Sequence, residues 1–135
     1  MIDASVIVAW LLPDEGSGYA DDVAQEMTNQ AAVAPAFWAL EVANALVVAH
    51  RRGRIEEADR DTGLKLALEL PVTSDEVAMN DTVSDAISLA QMHELAVYDA
   101  MYLELAKRKS IPLATVDAAL RTAARNAGID LMTVT

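Results

Sequence analysis

The chain contains no cysteine, which removes disulfides, thiolate zinc sites and cysteine nucleophiles from consideration. It is also poor in cationic side chains, with 10 Lys and Arg against 21 Asp and Glu and a formal charge of −11. A protein that tracked phosphates by bulk charge would be basic, so the balance argues against that mode of nucleic-acid binding. An enzyme whose carboxylates hold a metal is not excluded, because the ion reverses the local field. A solubilising surface or attraction to a basic partner segment would explain the same imbalance. Apolar runs are broken by charges well short of the ~20 residues that a membrane span needs. No basic stretch leads into an apolar run and cleavage site. A soluble, cytoplasmic protein with no membrane association is therefore expected. No linker, repeat or low-complexity tract divides the 135 residues, so one domain over 1–135 is expected, large enough to bury about two-thirds of its unfolded surface.

Short β-type runs alternate with amphipathic stretches. Helical spacing predicts helices over Ser17–Gln30, Phe37–Arg52, Ile55–Leu68, Asp81–His93, Asp99–Lys109 and Asp117–Ala127. The second ends on His50, Arg51 and Arg52, followed by Gly53, which is a helix stop with cations in the last turn. Strands are predicted at Met1–Asp3, Ala32–Ala34, Pro71–Thr73, Pro112–Thr115 and Asp130–Thr133. Strands separated by helices imply parallel pairing and a covered sheet. In such folds, sites form beyond the carboxyl ends of the strands.

Four carboxylates stand where folding alone gives little account of them. Asp3 opens the run Asp3-Ala-Ser-Val-Ile-Val, and Glu41 lies inside the apolar stretch Phe37-Trp-Ala-Leu-Glu-Val. Asp99 interrupts Leu95-Ala-Val-Tyr-Asp-Ala-Met-Tyr-Leu, and Asp117 ends Pro112-Leu-Ala-Thr-Val-Asp. Carboxylates are rarely buried unless paired or metal-bound. If the four converge, a hard divalent cation held by oxygen is the economical explanation.

The pattern Ile2-Asp3-Ala-Ser5-Val, Glu41-Val-Ala-Asn44-Ala-Leu, Tyr98-Asp99-Ala-Met-Tyr-Leu and Leu113-Ala-Thr115-Val-Asp117 resembles the PIN-domain ribonucleases. Within them it is most similar to the VapC-type toxins of bacterial toxin–antitoxin pairs. Each motif is weak alone; four in order along the whole chain make the resemblance. It implies a three-layer α/β/α sandwich with a central parallel sheet of about five strands. It further implies Mg²⁺- or Mn²⁺-dependent cleavage of RNA by a metal-activated water, homodimerisation, and neutralisation by a cognate VapB-like antitoxin. Asp3, Glu41, Asp99 and Asp117 fall on the family's acidic positions. Asp3 and Asp99 are assigned as core metal ligands, with Glu41 and Asp117 completing or positioning the shell. Only Met1 and Ile2 precede Asp3, fewer than the family's first strand usually carries; either that strand is short, with weakened anchoring of Asp3, or the natural chain begins upstream.

Around these acids, Thr115 is placed to donate its hydroxyl to a carboxylate or a water. Ser5 contacts a ligand or, by preference, caps a helix starting after Asp3. Asn44 shares a helix face with Glu41 and meets either substrate or the interior as a buried amide. Arg121 and Arg125, at i and i+4 after Asp117, suit a substrate phosphate or an acidic antitoxin tail. Arg51, Arg52 and Arg54 read first as solvated helix-end charge. Trp10, Trp38, Tyr98 and Tyr102 lie in apolar contexts and are expected in core or dimer packing rather than base stacking. His50 and His93 are too isolated for zinc. Asp21-Asp22, Glu56-Glu57 and Asp75-Glu76 read as helix starts or solvated faces, without chemistry. A PIN-like interaction module without catalysis is one rival. A doubly wound Mg²⁺-dependent phosphatase is another, disfavoured because position 5 is serine where a second aspartate belongs.

Overall fold

A computed structural model describes residues 1–133 of the chain. Seven helices are present among the described residues: α1 (Ala4–Leu11), α2 (Gly18–Glu26), α3 (Trp38–Arg51), α4 (Glu57–Leu68), α5 (Met79–His93), α6 (Val97–Lys109) and α7 (Ala118–Asn126). Two strands, β1 (Ala32–Ala34) and β2 (Val72–Ser74), pair in parallel, with Ala32 opposite Val72 and Ala34 opposite Ser74. The chain is thus α/β, as its alternating pattern requires.

The other three predicted strands do not develop. Ile2 bridges Ala114, and Leu113 bridges Leu131, each as a single parallel bridge. The Ile2 N–H also donates to the Val33 carbonyl at 3.0 Å, setting Met1–Asp3 between β1 and the segment around Ala114. The reason is length. Helix α1 starts at Ala4, directly after Asp3, and Pro112 carries no N–H to extend a ladder.

Helix α1 lies outside the six helices predicted from periodicity. Its sequence, Ala-Ser-Val-Ile-Val-Ala-Trp-Leu, is rich in β-branched residues, which favour strands. Burial of Val6 and Ile7 against the core outweighs that preference. Helix α1 packs on α2 and α3, α3 on α4, and α5 on α6. Helix α6 is the interior element: every residue from Ala100 to Ala106 is buried. A helix covered all round needs apolar residues or satisfied polar ones, and Tyr102 and Glu104 are both hydrogen-bonded.

The stop after α3 forms as the sequence implies. Gly53 takes a left-handed φ of +73°. Its N–H donates to the His50 carbonyl and that of Arg54 to Ala49, both at 2.9 Å, closing the helix in a Schellman turn. Arg54 then pairs with Asp14 through two bonds of 2.6 and 2.8 Å, tying this turn to the loop after α1.

Candidate active site

Asp3 is the N-cap of α1. Its N–H bonds the Ala114 carbonyl at 2.9 Å, so the parallel bridge fixes its height beside the segment that leads to Asp117. Its side chain is buried. Two hydroxyls converge on Oδ2, with Ser5 donating at 2.5 Å and Thr115 at 2.8 Å. Each hydroxyl has one proton to give. The 3.2 Å approach of Ser5 Oγ to Thr115 Oγ1 therefore reflects a shared acceptor. Ser5 Oγ in turn accepts from the Val116 N–H and Thr115 Oγ1 from the Asp117 N–H, at 3.2 and 3.1 Å. The two hydroxyls thereby pin the turn at 115–117 onto the Asp3 carboxylate. The expected capping role for Ser5 does not occur: Asp3 holds the cap position, and Ser5, inside the first turn, bonds the Asp3 carboxylate.

Glu41 lies in the first turn of α3, and Asp99 in the first turn of α6. Asp117 is the N-cap of α7, its Oδ1 accepting from the Leu120 N–H at 2.8 Å. The fully buried Tyr102 donates its hydroxyl to Glu41 Oε1 at 2.6 Å. Sequence reasoning placed Tyr102 in the core and missed this bond. The available signal was its position three residues after Asp99, one turn along the same face of α6.

The four acids share one electrostatic field. Burial pushes the Asp3 carboxyl above its ordinary range despite the Ser5 and Thr115 hydroxyls, and the Asp117 charge adds to the rise. Burial also raises Glu41; the Tyr102 hydroxyl opposes this, and the charges of Asp3 and Asp99 add to it. Asp99 is raised by burial and then by Asp3 and Asp117. Tyr102 is held far above its usual value by burial and by the Glu41 and Asp3 charges. All four carboxylates sit at helix N-termini, where the positive end of the peptide dipole offsets part of their repulsion.

This donor set is entirely oxygen, which suits a hard cation. Among the described residues no three such side chains stand close enough to form a finished ligand cage. An incomplete protein shell fits Mg²⁺, which keeps several waters and takes only one or two carboxylates directly.

The flanking residues divide. Arg121 donates from Nη1 to the Thr115 carbonyl at 2.9 Å, and its guanidinium lies 5.0 Å over the Tyr19 ring. It therefore braces the 115–117 turn, while Arg125 is exposed. Asn44 is exposed one turn beyond Glu41, which removes the buried-amide reading. Trp38 and Tyr102 are buried and Trp10 is partly so, as expected, but Tyr98 is 65% exposed. His50 lies against Arg60, and His93 sits in the last turn of α5. Asp75 is no solvated surface acid, since Arg108 bridges it to Glu104.

The fold that carries these groups is that of a PIN domain. The family model for the PIN domain matches residues 1–126, and the chain belongs to that family. It is 32% identical over 117 residues to Ribonuclease VapC3 of Pyrobaculum aerophilum, covering 87% of this chain and 88% of that protein. The crystal structure of PAE2754, also from Pyrobaculum aerophilum, aligns with a TM-score of 0.65 at 24% identity, over 90% of this chain and 76% of that one. That second likeness is one of fold. No helix among the described residues is long and apolar enough to cross a membrane.

Proposed function

We propose that this chain is a metal-dependent endoribonuclease toxin of the VapC kind, neutralised by a cognate VapB-like antitoxin. The observation that carries the reading is that Asp3, Glu41, Asp99 and Asp117 all stand at helix starts, with the buried Asp3 carboxylate tied through Ser5 and Thr115 to the turn that carries Asp117. Its similarity to a protein named Ribonuclease VapC3 supports the same conclusion. Exposed apolar residues on α5, Met79, Val83 and Ile87, support a homodimer, for they recur every four residues along one face. The reading also places the protein in the cytoplasm as one domain over 1–135. It takes the hydrogen-bonded segments beside β1 and β2 as shortened strands of a five-stranded sheet within a three-layer sandwich.

Asp3 and Asp99 would hold the cation, Mg²⁺ or Mn²⁺, with Glu41 and Asp117 completing the shell directly or through water. When bound, the ion supplies charge stabilisation at the phosphodiester and lowers the pKa of an attacking water. The protein's own part is placement. Ser5 and Thr115 fix the Asp3 carboxylate, Tyr102 orients Glu41, and Arg121 holds the turn that carries Asp117. Asn44, exposed one turn beyond Glu41, faces the substrate in this reading, while Arg121 acts through the turn it holds.

The test is a labelled mixed RNA pool incubated with protein in Mg²⁺, Mn²⁺ or EDTA. Discrete cuts that require metal and vanish in Asp99→Asn are expected. Absence of both cleavage and metal binding would leave the non-catalytic interaction module as the better account. Thr115→Val provides a finer check, since it removes one donor to Asp3 without changing the charge. Outer partners of ligands are worth about 10–100-fold in metal affinity, so Mn²⁺ should bind Thr115→Val about that much more weakly in a calorimetric titration. Equal affinity would reduce Thr115 to a strand-end hydroxyl.

A further inference from the structure

Tyr98 stands beside Asp99 in the first turn of α6 and is the one aromatic side chain among the large exposed apolar groups described. It is 65% exposed, yet it is not free. Its ring meets Phe37 edge-on at 5.6 Å and 83°, and Phe37 meets Tyr102 in the same manner at 5.8 Å and 89°. Tyr102 then holds Glu41 through its hydroxyl. A row of three perpendicular rings thus runs from a buried residue of the acidic site out to one ring in water. Edge-to-face contact fixes the outer ring while leaving much of its surface open. Leu40, next to Glu41, is 74% exposed, so apolar surface adjoins two of the four acids in sequence.

Charge makes this arrangement pointed. A nucleic acid approaching four carboxylates on a chain of net charge −11 gains nothing from bulk attraction. Arg121, the nearest cation in sequence to Asp117, already bonds the Thr115 carbonyl and covers Tyr19. Without bound metal, affinity for a single strand must then come largely from uncharged contacts. A nucleobase stacked on an aromatic ring contributes about 1–3 kcal/mol, whatever the base.

We infer that Tyr98 is a stacking platform that seats a nucleobase next to the phosphodiester presented to the acidic group. The inference rests on the ribonuclease reading and deepens it. Tyr98 acts as a positioning residue: it grips the strand and leaves the carboxylates to do the chemistry. Sequence tolerance at the stacked base follows, because every base offers a π face.

The experiment measures the affinity of full-length protein for a fluorescent, mixed-sequence single-stranded RNA in EDTA, where cleavage is suppressed. Parent, Tyr98→Phe, Tyr98→Leu and Tyr98→Ala are compared, with molar mass followed by light scattering. Tyr98→Phe should bind like the parent. Tyr98→Ala and Tyr98→Leu should bind roughly 5- to 140-fold more weakly, while keeping the parent's mass and its stabilisation by Mg²⁺. Parent-like binding by Tyr98→Leu overturns the platform, because apolar cover without a π face would then suffice. Loss of binding together with loss of a dimer also overturns it, assigning the ring to contact between copies. If the parent cleaves RNA and Tyr98→Ala binds equally well, the platform falls while the nuclease reading stands. A parent that neither cleaves nor binds RNA overturns both.

Discussion

Asp99→Asn is expected to lose RNA cleavage by about 10²–10⁴-fold, and to melt above the parent at pH 7 in EDTA. The first effect follows from the role proposed for Asp99, a direct ligand of an ion that would supply several kcal/mol at the transition state. The second follows from the direction of the Asp99 shift. Its folded carboxyl is raised by burial, then by Asp3 and Asp117. The folded state therefore keeps a proton to higher pH than the unfolded chain, and stability falls as pH rises from the unfolded value through the folded one. The penalty is absent below the unfolded carboxyl value and complete once pH has risen past the folded one. Asparagine carries no such charge, so its advantage over the parent should appear at neutral pH and fade on acidification. Added Mg²⁺ should reverse the ranking. At 100 times its dissociation constant a ligand contributes about 2.7 kcal/mol, roughly 8 °C for a chain of this size. Asp99→Asn should gain far less. Calorimetric scans across pH, with and without metal, decide the matter, and equal metal stabilisation of both proteins would remove Asp99 from the ligand set.

Arg108→Ala should lower stability by about 3 kcal/mol, or roughly 10 °C in Tm. Arg108 bonds Glu104 through Nε at 2.7 Å and through Nη2 at 3.2 Å, and it bonds both Asp75 oxygens as well. The two carboxylate side chains are only 7% and 9% exposed, against 29% for the arginine. Removing the cation would leave both acids desolvated and unpaired inside the junction between the end of β2 and the central helix. Because the arginine is partly wet, the lower end of the range for a broken buried pair applies. In the parent, burial works to raise the Asp75 carboxyl, but the Arg108 hydrogen bonds, helped by the Val77 N–H and nearby cations, hold it low. Its contribution is present above the unfolded carboxyl range and is lost as pH falls through the folded value. The deficit of Arg108→Ala should accordingly be largest at neutral pH and shrink toward pH 4. A deficit that did not change with pH would point to lost packing of the arginine stem instead.

Much of this architecture was legible because it is local. Helices α3 to α7 announce themselves by apolar spacing and, for α3, by a glycine stop, so their boundaries lie within two residues of expectation. Helix α1 was expected only as a helix starting after Asp3, with no extent, because an eight-residue run that is apolar nearly throughout has no period to read. The position of the acids was legible from their isolation in apolar stretches. The groups that hold them were harder to find. Thr115 could be guessed from adjacency to Asp117, whereas Tyr102 and the Phe37–Tyr98 contact depend on two helices crossing. Asp75 was misread for a similar reason, since its partner lies 33 residues away in sequence.

The paired backbone has a consequence for motion. Beyond the three-residue ladder of β1 and β2, Asp3, Leu113 and Ala114 are held by single bridges, too short to resist opening as a unit of their own. Yet all three residues are buried under the helices. Their amide protons should therefore exchange with solvent only when the helical packing itself gives way, in step with the amides of α6. A cation seated at Asp3 would then slow exchange across both regions together, linking chemistry at one carboxylate to the breathing of the whole interior.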